Sequence, residues 1–374
     1  MHARISPKRL IIAAASARPF VRAAVAAGYE VIAADVFCDT DTCRDAFMAI
    51  PLPYAQGGFD PVAFREAVFP QLQASEAAFV YGSGFETQPA LLDEVAQRCQ
   101  VMGNQARTVE ILKDPSRFFS LLQRLAIPHP TYSIARPMPA EGWLCKRVGG
   151  SGGTHVRHVT AATAGEHYYQ RLWPGKPVSL LFLADGQQVR DVGFNAQLLA
   201  PTQAMPYRFG GAVSQVQLPV AVRDGMRVAA EKITLELGLC GLNSLDCMVD
   251  GDRFWVLEVN PRLSATFALY DAAHQGARLF QAHLRACLGE LPASLPPEQA
   301  RAHLIYYAPV DLTIPVGTSW PAWVADVPSD ASCIRTDEPM CTVMASADHA
   351  EAAEVLARQR IAQLTQRINQ FREL

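Results

Sequence analysis

Along residues 9–104 the hydrophobic pattern alternates between short apolar runs and amphipathic stretches. "RLIIAAAS" predicts a buried strand, and Ala17–Ala27 a helix that Gly28 closes. "YEVIAAD" predicts a second strand ending at Asp35, "AFMAIPL" a third, Pro61–Leu72 a helix, and "AAFVYGSG" a fourth strand. Gln88–Arg98 reads as helix and "VMGN" as a short strand. Strands alternating with helices predict a parallel, doubly wound, Rossmann-like sheet, which binds ligands at the carboxyl ends of its strands. Residues 105–141 read as two short helices and a proline-rich connector, "IPHPTYSIARPMPA". From residue 142 hairpin signals replace the alternation, with helical patterns over Val220–Leu237 and 270–288. "LPASLPPEQA" reads as a boundary, and the tail carries strands at "HLIYYAPV" and "PMCTVMAS" before a final helix from about Asp348. The expected organisation is α/β over 1–104, then α+β over 105–290 with a subdomain at about 142–182, then a small α+β unit over 291–374.

One strand pattern carries chemistry. In "VLEVNPRLSAT" the polar residues Glu258, Asn260 and Arg262 alternate with Leu257 and Val259, so they share one strand face, and Pro261 ends the strand. Asp250-Gly251 upstream is a hairpin turn signal. With a three-residue loop, Asp246 faces Val256 and becomes a diagonal neighbour of Glu258, roughly 7 Å away. A two-residue loop would place Asp246 on the other face. Asp246, Glu258 and Asn260 together would form an oxygen-only cluster suited to Mg²⁺. Arg262 could hold a phosphate or carboxylate through its planar fork. The competing reading is a solvated strand face with a salt bridge.

The second such feature is "CKRVGGSGGTHV", where Lys146 ends a strand and Gly149, Gly150, Ser151, Gly152 and Gly153 follow. Glycines let backbone N–H groups approach an anion, so this hairpin tip could close over a polyphosphate as a lid. It is not a Walker A loop, because the lysine precedes the glycines and the flanks read as strands. A flexible surface turn is the alternative.

Composition narrows the classes. The 374 residues are half hydrophobic with a net charge of −3, which excludes neither enzyme nor binding module but gives no basic tract for nucleic acid. No run reaches the ~18 apolar residues of a membrane span. Nine cysteines without a C-x-x-C pair predict reduced thiols and a cytoplasmic location.

Taken in order, these segments resemble the ATP-grasp superfamily of ATP-dependent carboxylate–amine ligases, which includes D-alanine–D-alanine ligase, biotin carboxylase and carbamoyl phosphate synthetase. "TVEILKDPSRF" is similar to the segment whose lysine contacts ATP phosphates, which falls on Lys113. "WLCKRVGGSGGTHV" resembles the second lysine, Lys146, with its glycine-rich lid. "YYQRLWPG" resembles the adenine hinge, at Gln170, Arg171, Leu172 and Trp173. The hairpin is similar to the metal-binding segment, with Asp246, Glu258 and Asn260 as ligands and Arg262 as the catalytic anion-binding residue beside Lys146. The resemblance covers about residues 1–290 and implies ATP and Mg²⁺ (or Mn²⁺) as cofactors. It also implies a small carboxylate and an amine as substrates, and an acyl-phosphate intermediate. Arg171 stands where many relatives have an acid, which leaves nucleotide preference open.

Ser16, Arg18, Ser83 and Glu86 sit at predicted carboxyl ends of strands and are the candidates for substrate contact. Asp35, Asp39 and Asp41 in "DVFCDTD" read as a solvated loop, with contact to an amine or a ribose as the alternative. His155 and His158 read as surface or phosphate-adjacent residues, and Phe118 and Phe119 as core. A nicotinamide dehydrogenase is disfavoured, since "AAASARPF" lacks G-x-G-x-x-G. A non-catalytic ATP-binding regulator and a bicarbonate-using carboxylase stay as alternatives. A homodimer is the default assembly.

Overall fold

The computed structural model describes residues 8–74, 76–159, 167–270, 275–295 and 299–370. Of the sequence expectations, the first seven residues, part of the helix expected over 270–288 and part of "LPPEQA" lie outside these. The early apolar runs form a five-stranded parallel sheet in the order Met48–Pro51, Glu30–Asp35, Arg9–Ala14, Ala77–Tyr81, Val101–Met102. Its strands read as continuous apolar runs because both faces are covered. Leu10, Ile12 and Ala14 pack with Phe20 and Val21 of the helix Arg18–Ala26 and with Phe280. Ile11 and Ala13 pack with Phe64 and Val68 of the helix Pro61–Ala74. The chain leaves each strand on one rim, which brings Ser16, Asp35 and Ser83 together.

A four-stranded antiparallel sheet follows, in the order Val156–His158, Trp143–Arg147, His167–Arg171, Tyr132–Ser133. An eight-stranded sheet runs Arg253–Asn260, Cys240–Asp250, Lys176–Asp185, Val189–Leu199, Phe209–Ser214, Ala300–Tyr307, Pro339–Ala347, Val324–Ala325. Strands from the tail therefore continue the sheet that carries the candidate hairpin. The helix Val220–Leu237 lays Val222, Met226, Ala230 and Ile233 against Leu180, Phe182, Leu245 and Val259. It stops at Gly238, whose φ of 66° allows the left-handed cap. Asp114 separates the helices Ala106–Lys113 and Pro115–Arg124 by accepting the Arg117 N–H at 2.9 Å. This fixes Lys113 at a helix end facing the large sheet. Among the described residues no helix is long and apolar enough to cross a membrane.

Candidate active site

The hairpin is built differently from expectation and reaches the same result. Asp250 pairs with Arg253, so the turn holds two residues, Gly251 and Asp252, rather than three. Gly251 supplies the positive φ that a tight hairpin turn requires, at 57°. A two-residue turn alone would set Asp246 opposite Leu257 and away from Glu258. A β-bulge opposite the Asp246–Cys247 step absorbs Leu257, and Asp246 then pairs directly with Glu258, and Ser244 with Asn260. The carboxylates are direct cross-strand neighbours, closer than the diagonal arrangement expected.

Asn260 holds this pair. Its Nδ2 donates to Asp246 Oδ2 at 3.1 Å and to Glu258 Oε1 at 3.2 Å. Its Oδ1 accepts from Lys113 Nζ at 2.8 Å and from Arg262 Nη2 at 3.3 Å. The amide oxygen expected as a third ligand thus faces the cations instead. Burial pushes the Asp246 carboxyl up to about 7, helped by the facing charge of Glu258. Burial acts in the same direction on Glu258, but Lys113 and Lys146 outweigh it and hold that carboxyl at about 2. Lys113 Nζ lies 3.6 Å from Glu258 Oε2. Two opposed carboxylates that keep a proton up to neutral pH fit a divalent cation, which would replace that proton. Among the described residues no three His, Cys, Asp or Glu side chains gather to hold a metal alone. A cation here would draw its other ligands from phosphate and water, as Mg²⁺ does.

Lys146 is the last residue but one of the strand Trp143–Arg147, and burial pushes its pKa down. The glycine loop beyond it is docked: the Gly152 carbonyl accepts the Phe209 N–H at 2.9 Å. Gly153 has φ 70°, and a Cβ there would stand 1.9 Å from the Tyr207 carbonyl oxygen. Only glycine fits that approach. His155 packs its ring over Gly150, and burial keeps it neutral with a pKa of about 4. His158 is exposed, its Nε2 3.3 Å from the Tyr207 hydroxyl.

These residues share one cleft of about 790 Å³, lined by Lys113, Lys146, residues 149–153, Gln170–Trp173, Asp246, Glu258, Asn260 and Arg262. At its hinge end Gln170 is 2% exposed, and its Nε2 has no partner among the described residues. Trp173 packs on Trp255 with ring centroids 4.4 Å apart. The Arg171 guanidinium donates to the Glu141 carbonyl at 2.9 Å and lies over the Trp143 ring.

Three cleft residues were not read from the sequence. Arg147 lines the cleft, and its buried Nε has no partner among the described residues. Strand alternation argues against two adjacent residues facing one site, but the strand ends there. Gln197 lines the cleft from another strand of the large sheet, and Tyr54 lines it from the N-terminal region. Both depend on long-range pairing, which leaves no local signal.

The four substrate candidates separate. Ser83 lines the cleft, whereas Ser16 and Arg18 line an adjoining chamber together with Ser83. Glu86 lines neither. It is buried, accepting from Arg262 Nε at 2.6 Å and from the Gly84 N–H at 2.7 Å. Its role in this arrangement is to aim Arg262. The solvated-loop reading of the aspartates is overturned, since Asp35, Asp39 and Asp41 are 0%, 8% and 8% exposed. Asp35 accepts the Ala17, Phe37 and Cys38 N–H groups, and Asp41 those of Asp326 and Val327. Phe118 and Phe119 are buried in the core, as expected.

Residues 113–266 match the family model described as ATP-grasp domain. A curated relative, the formate-dependent phosphoribosylglycinamide formyltransferase of Acinetobacter baumannii, is 36% identical over 26% of this chain. That match spans 23% of the relative's own length. The fold is similar to the biotin carboxylase domain of Hydrogenobacter thermophilus 2-oxoglutarate carboxylase, solved with MgADP, ADP and bicarbonate. The TM-score is 0.72 at 14% identity, covering 94% of this chain and 89% of that one. It is similar also to N5-carboxyaminoimidazole ribonucleotide synthetase from Thermotoga maritima. There the TM-score is 0.65 at 15% identity, covering 95% of this chain and 98% of that one.

Proposed function

Because residues 113–266 belong to the ATP-grasp domain family, we propose that the protein is an ATP- and Mg²⁺-dependent ligase. It joins a small carboxylate to an amine through an acyl phosphate, releasing ADP and phosphate. The observation that carries this reading is the direct opposition of Asp246 and Glu258, with Lys113 reaching Asn260 and Glu258, at the floor of a glycine-capped cleft. The solved relative that holds MgADP supports ATP as the nucleotide.

A carboxylate is a poor electrophile, and phosphorylation by ATP makes it a good one. The protein's part in such a transfer is positioning and charge neutralisation. Lys113 and Lys146 supply fixed positive charge at the phosphates. The N–H groups of the docked loop, Gly149 to Gly153, cover them and exclude water. Gln170 offers its unpartnered amide to the adenine end, beside the Trp173 ring. Mg²⁺ held by Asp246 and Glu258 would offset negative charge on the transferred phosphoryl group. Arg262, fixed by Glu86 and Asn260, faces the carboxylate to be activated.

The test is hydroxylamine trapping with Mg-ATP and pooled carboxylic acids. ADP release with a hydroxamate from one acid is the expected outcome. ADP release that depends on bicarbonate alone would move the reading to a carboxylase. Mg-ATP binding with no ADP from any acid would move it to a regulator.

A further inference from the structure

Beside the ATP cleft lies a second chamber of about 330 Å³, between the rim of the parallel sheet and the strands of the tail. It shares Ala15, Phe37, Ser83, Gly152, Phe209 and Ala265 with the cleft, so the two adjoin. Much of its wall is apolar, from Phe20, Leu263, Ala268, Ile305 and Met340.

Several of its polar donors are already engaged: Ser16 and Arg18 donate to Asp326, and Tyr307 to the Phe209 carbonyl. Arg18, 4% exposed, is ion-paired with Asp326 at 2.7 Å and with Asp41 at 3.8 Å. Asp39 lines the chamber at 8% exposure, and its carboxylate has no hydrogen bond or ion pair among the described residues. His303, 3% exposed, lines it too, with Nδ1 buried and without a partner among the described residues. Burial keeps His303 neutral, at about 4, so one of its ring nitrogens is an acceptor. Burial and the charges of Asp326, Asp35 and Asp41 outweigh Arg18 and push Asp39 up to about 9, so the chamber holds it protonated and a bound cation would displace that proton. A carboxylate and an imidazole nitrogen, both unmatched and both buried, call for a ligand rich in donors. An ammonium has three donors and no acceptor. An added phosphate would meet Asp39 and Asp326, with the guanidinium of Arg18 already engaged.

We propose that this chamber binds the acceptor substrate as a compact apolar primary amine, its ammonium held by Asp39 and His303, and that it rejects phosphorylated acceptors. That the ligand is the acceptor rests on the ligase reading; that it is an apolar cation rests on the chamber alone.

The test uses the full-length protein and calorimetric titration with benzylamine, benzyl alcohol and ribose 5-phosphate, with Mg-ADP titrated in parallel. Benzylamine should bind at least about tenfold tighter than benzyl alcohol, the size of one charge-assisted hydrogen bond. Ribose 5-phosphate should not bind in the chamber. Asp39→Asn, which breaks no bond among the described residues, should remove the amine preference and leave Mg-ADP binding unchanged. Equal affinity for amine and alcohol in the native protein would overturn the proposal, as would tighter binding of ribose 5-phosphate that Asp39→Asn strengthens. An amine preference that survives Asp39→Asn would overturn it as well. Selective benzylamine binding without ADP release in the trapping assay would sink the ligase reading and leave the cation chamber standing. The reverse result would sink the chamber assignment alone.

Discussion

Arg262 Nε donates to Glu86 Oε1 at 2.6 Å, and both side chains are under one-tenth exposed. This pair ties the rim of the parallel sheet to the end of the hairpin strand. Removing Glu86 leaves a guanidinium buried without its counter-ion. Glu86→Ala should therefore cost about 3–5 kcal/mol of stability, and Glu86→Gln less. Denaturant unfolding measures both. An unchanged midpoint in Glu86→Ala would show that the pair bears no load.

Lys146→Ala and Glu258→Ala remove charges that the proposed phosphoryl transfer uses. Each should lower ADP release by about 10²–10³-fold, the usual loss for one electrostatic contact in a closed site. Circular dichroism should show the fold kept in both, with a lowered unfolding midpoint in Glu258→Ala, which leaves buried Lys113 without its ion-pair partner. Wild-type turnover in either variant would remove the phosphate and metal assignments.

Gly153→Ala sets a Cβ against the Tyr207 carbonyl at a backbone φ of 70°. The loop must then leave its docked position over the cleft. The expected result is a raised KM for ATP, with faster protease cleavage within residues 149–154 than in the native protein. Identical cleavage rates would show that the loop does not rely on this contact.

His283 is 1% exposed. Its Nδ1 accepts the Leu242 N–H at 2.9 Å and its Nε2 faces the Met102 carbonyl at 3.1 Å, an arrangement only the neutral ring satisfies. Burial lowers its pKa from 6.5 to about 4. The folded state then binds its proton less readily than the unfolded state. Stability from this group is complete above about pH 6.5 and is lost as pH falls toward 4. The loss is on the order of 3 kcal/mol. Between pH 7.5 and 5 this group should account for about 2 kcal/mol, and His283→Gln should remove that share while the buried neutral rings of His155 and His303 keep theirs. A variant with the same pH slope would assign the loss to other groups.

Much of the site was legible because its residues lie in local patterns. Alternation placed Glu258, Asn260 and Arg262 on one face, glycine density marked the loop after Lys146, and only the family resemblance singled out Lys113. Arg147, Gln197 and Tyr54 were missed because each reaches the site through strand ends or pairings distant in sequence. The same limit produced the misreading of Asp39 and Asp41. In sequence they stand in a polar loop, whereas Asp41 binds the Asp326 and Val327 N–H groups and lies beneath the tail.

The sequence by itself determined which segments are strands and helices, and that a parallel sheet precedes an antiparallel one. It also determined that Glu258, Asn260 and Arg262 share a strand face and that a glycine-rich loop follows Lys146. Periodicity and turn chemistry are local, so they survive without a fold. Only the tertiary structure decided that Asp246 faces Glu258, because a bulge at Leu257 restores what a two-residue turn would have lost. It alone decided that Glu86 serves Arg262, and that the tail's strands join the hairpin's sheet to close an acidic chamber. Register, burial and charge pairing across distant segments follow from packing the whole chain, and no single stretch of it encodes them.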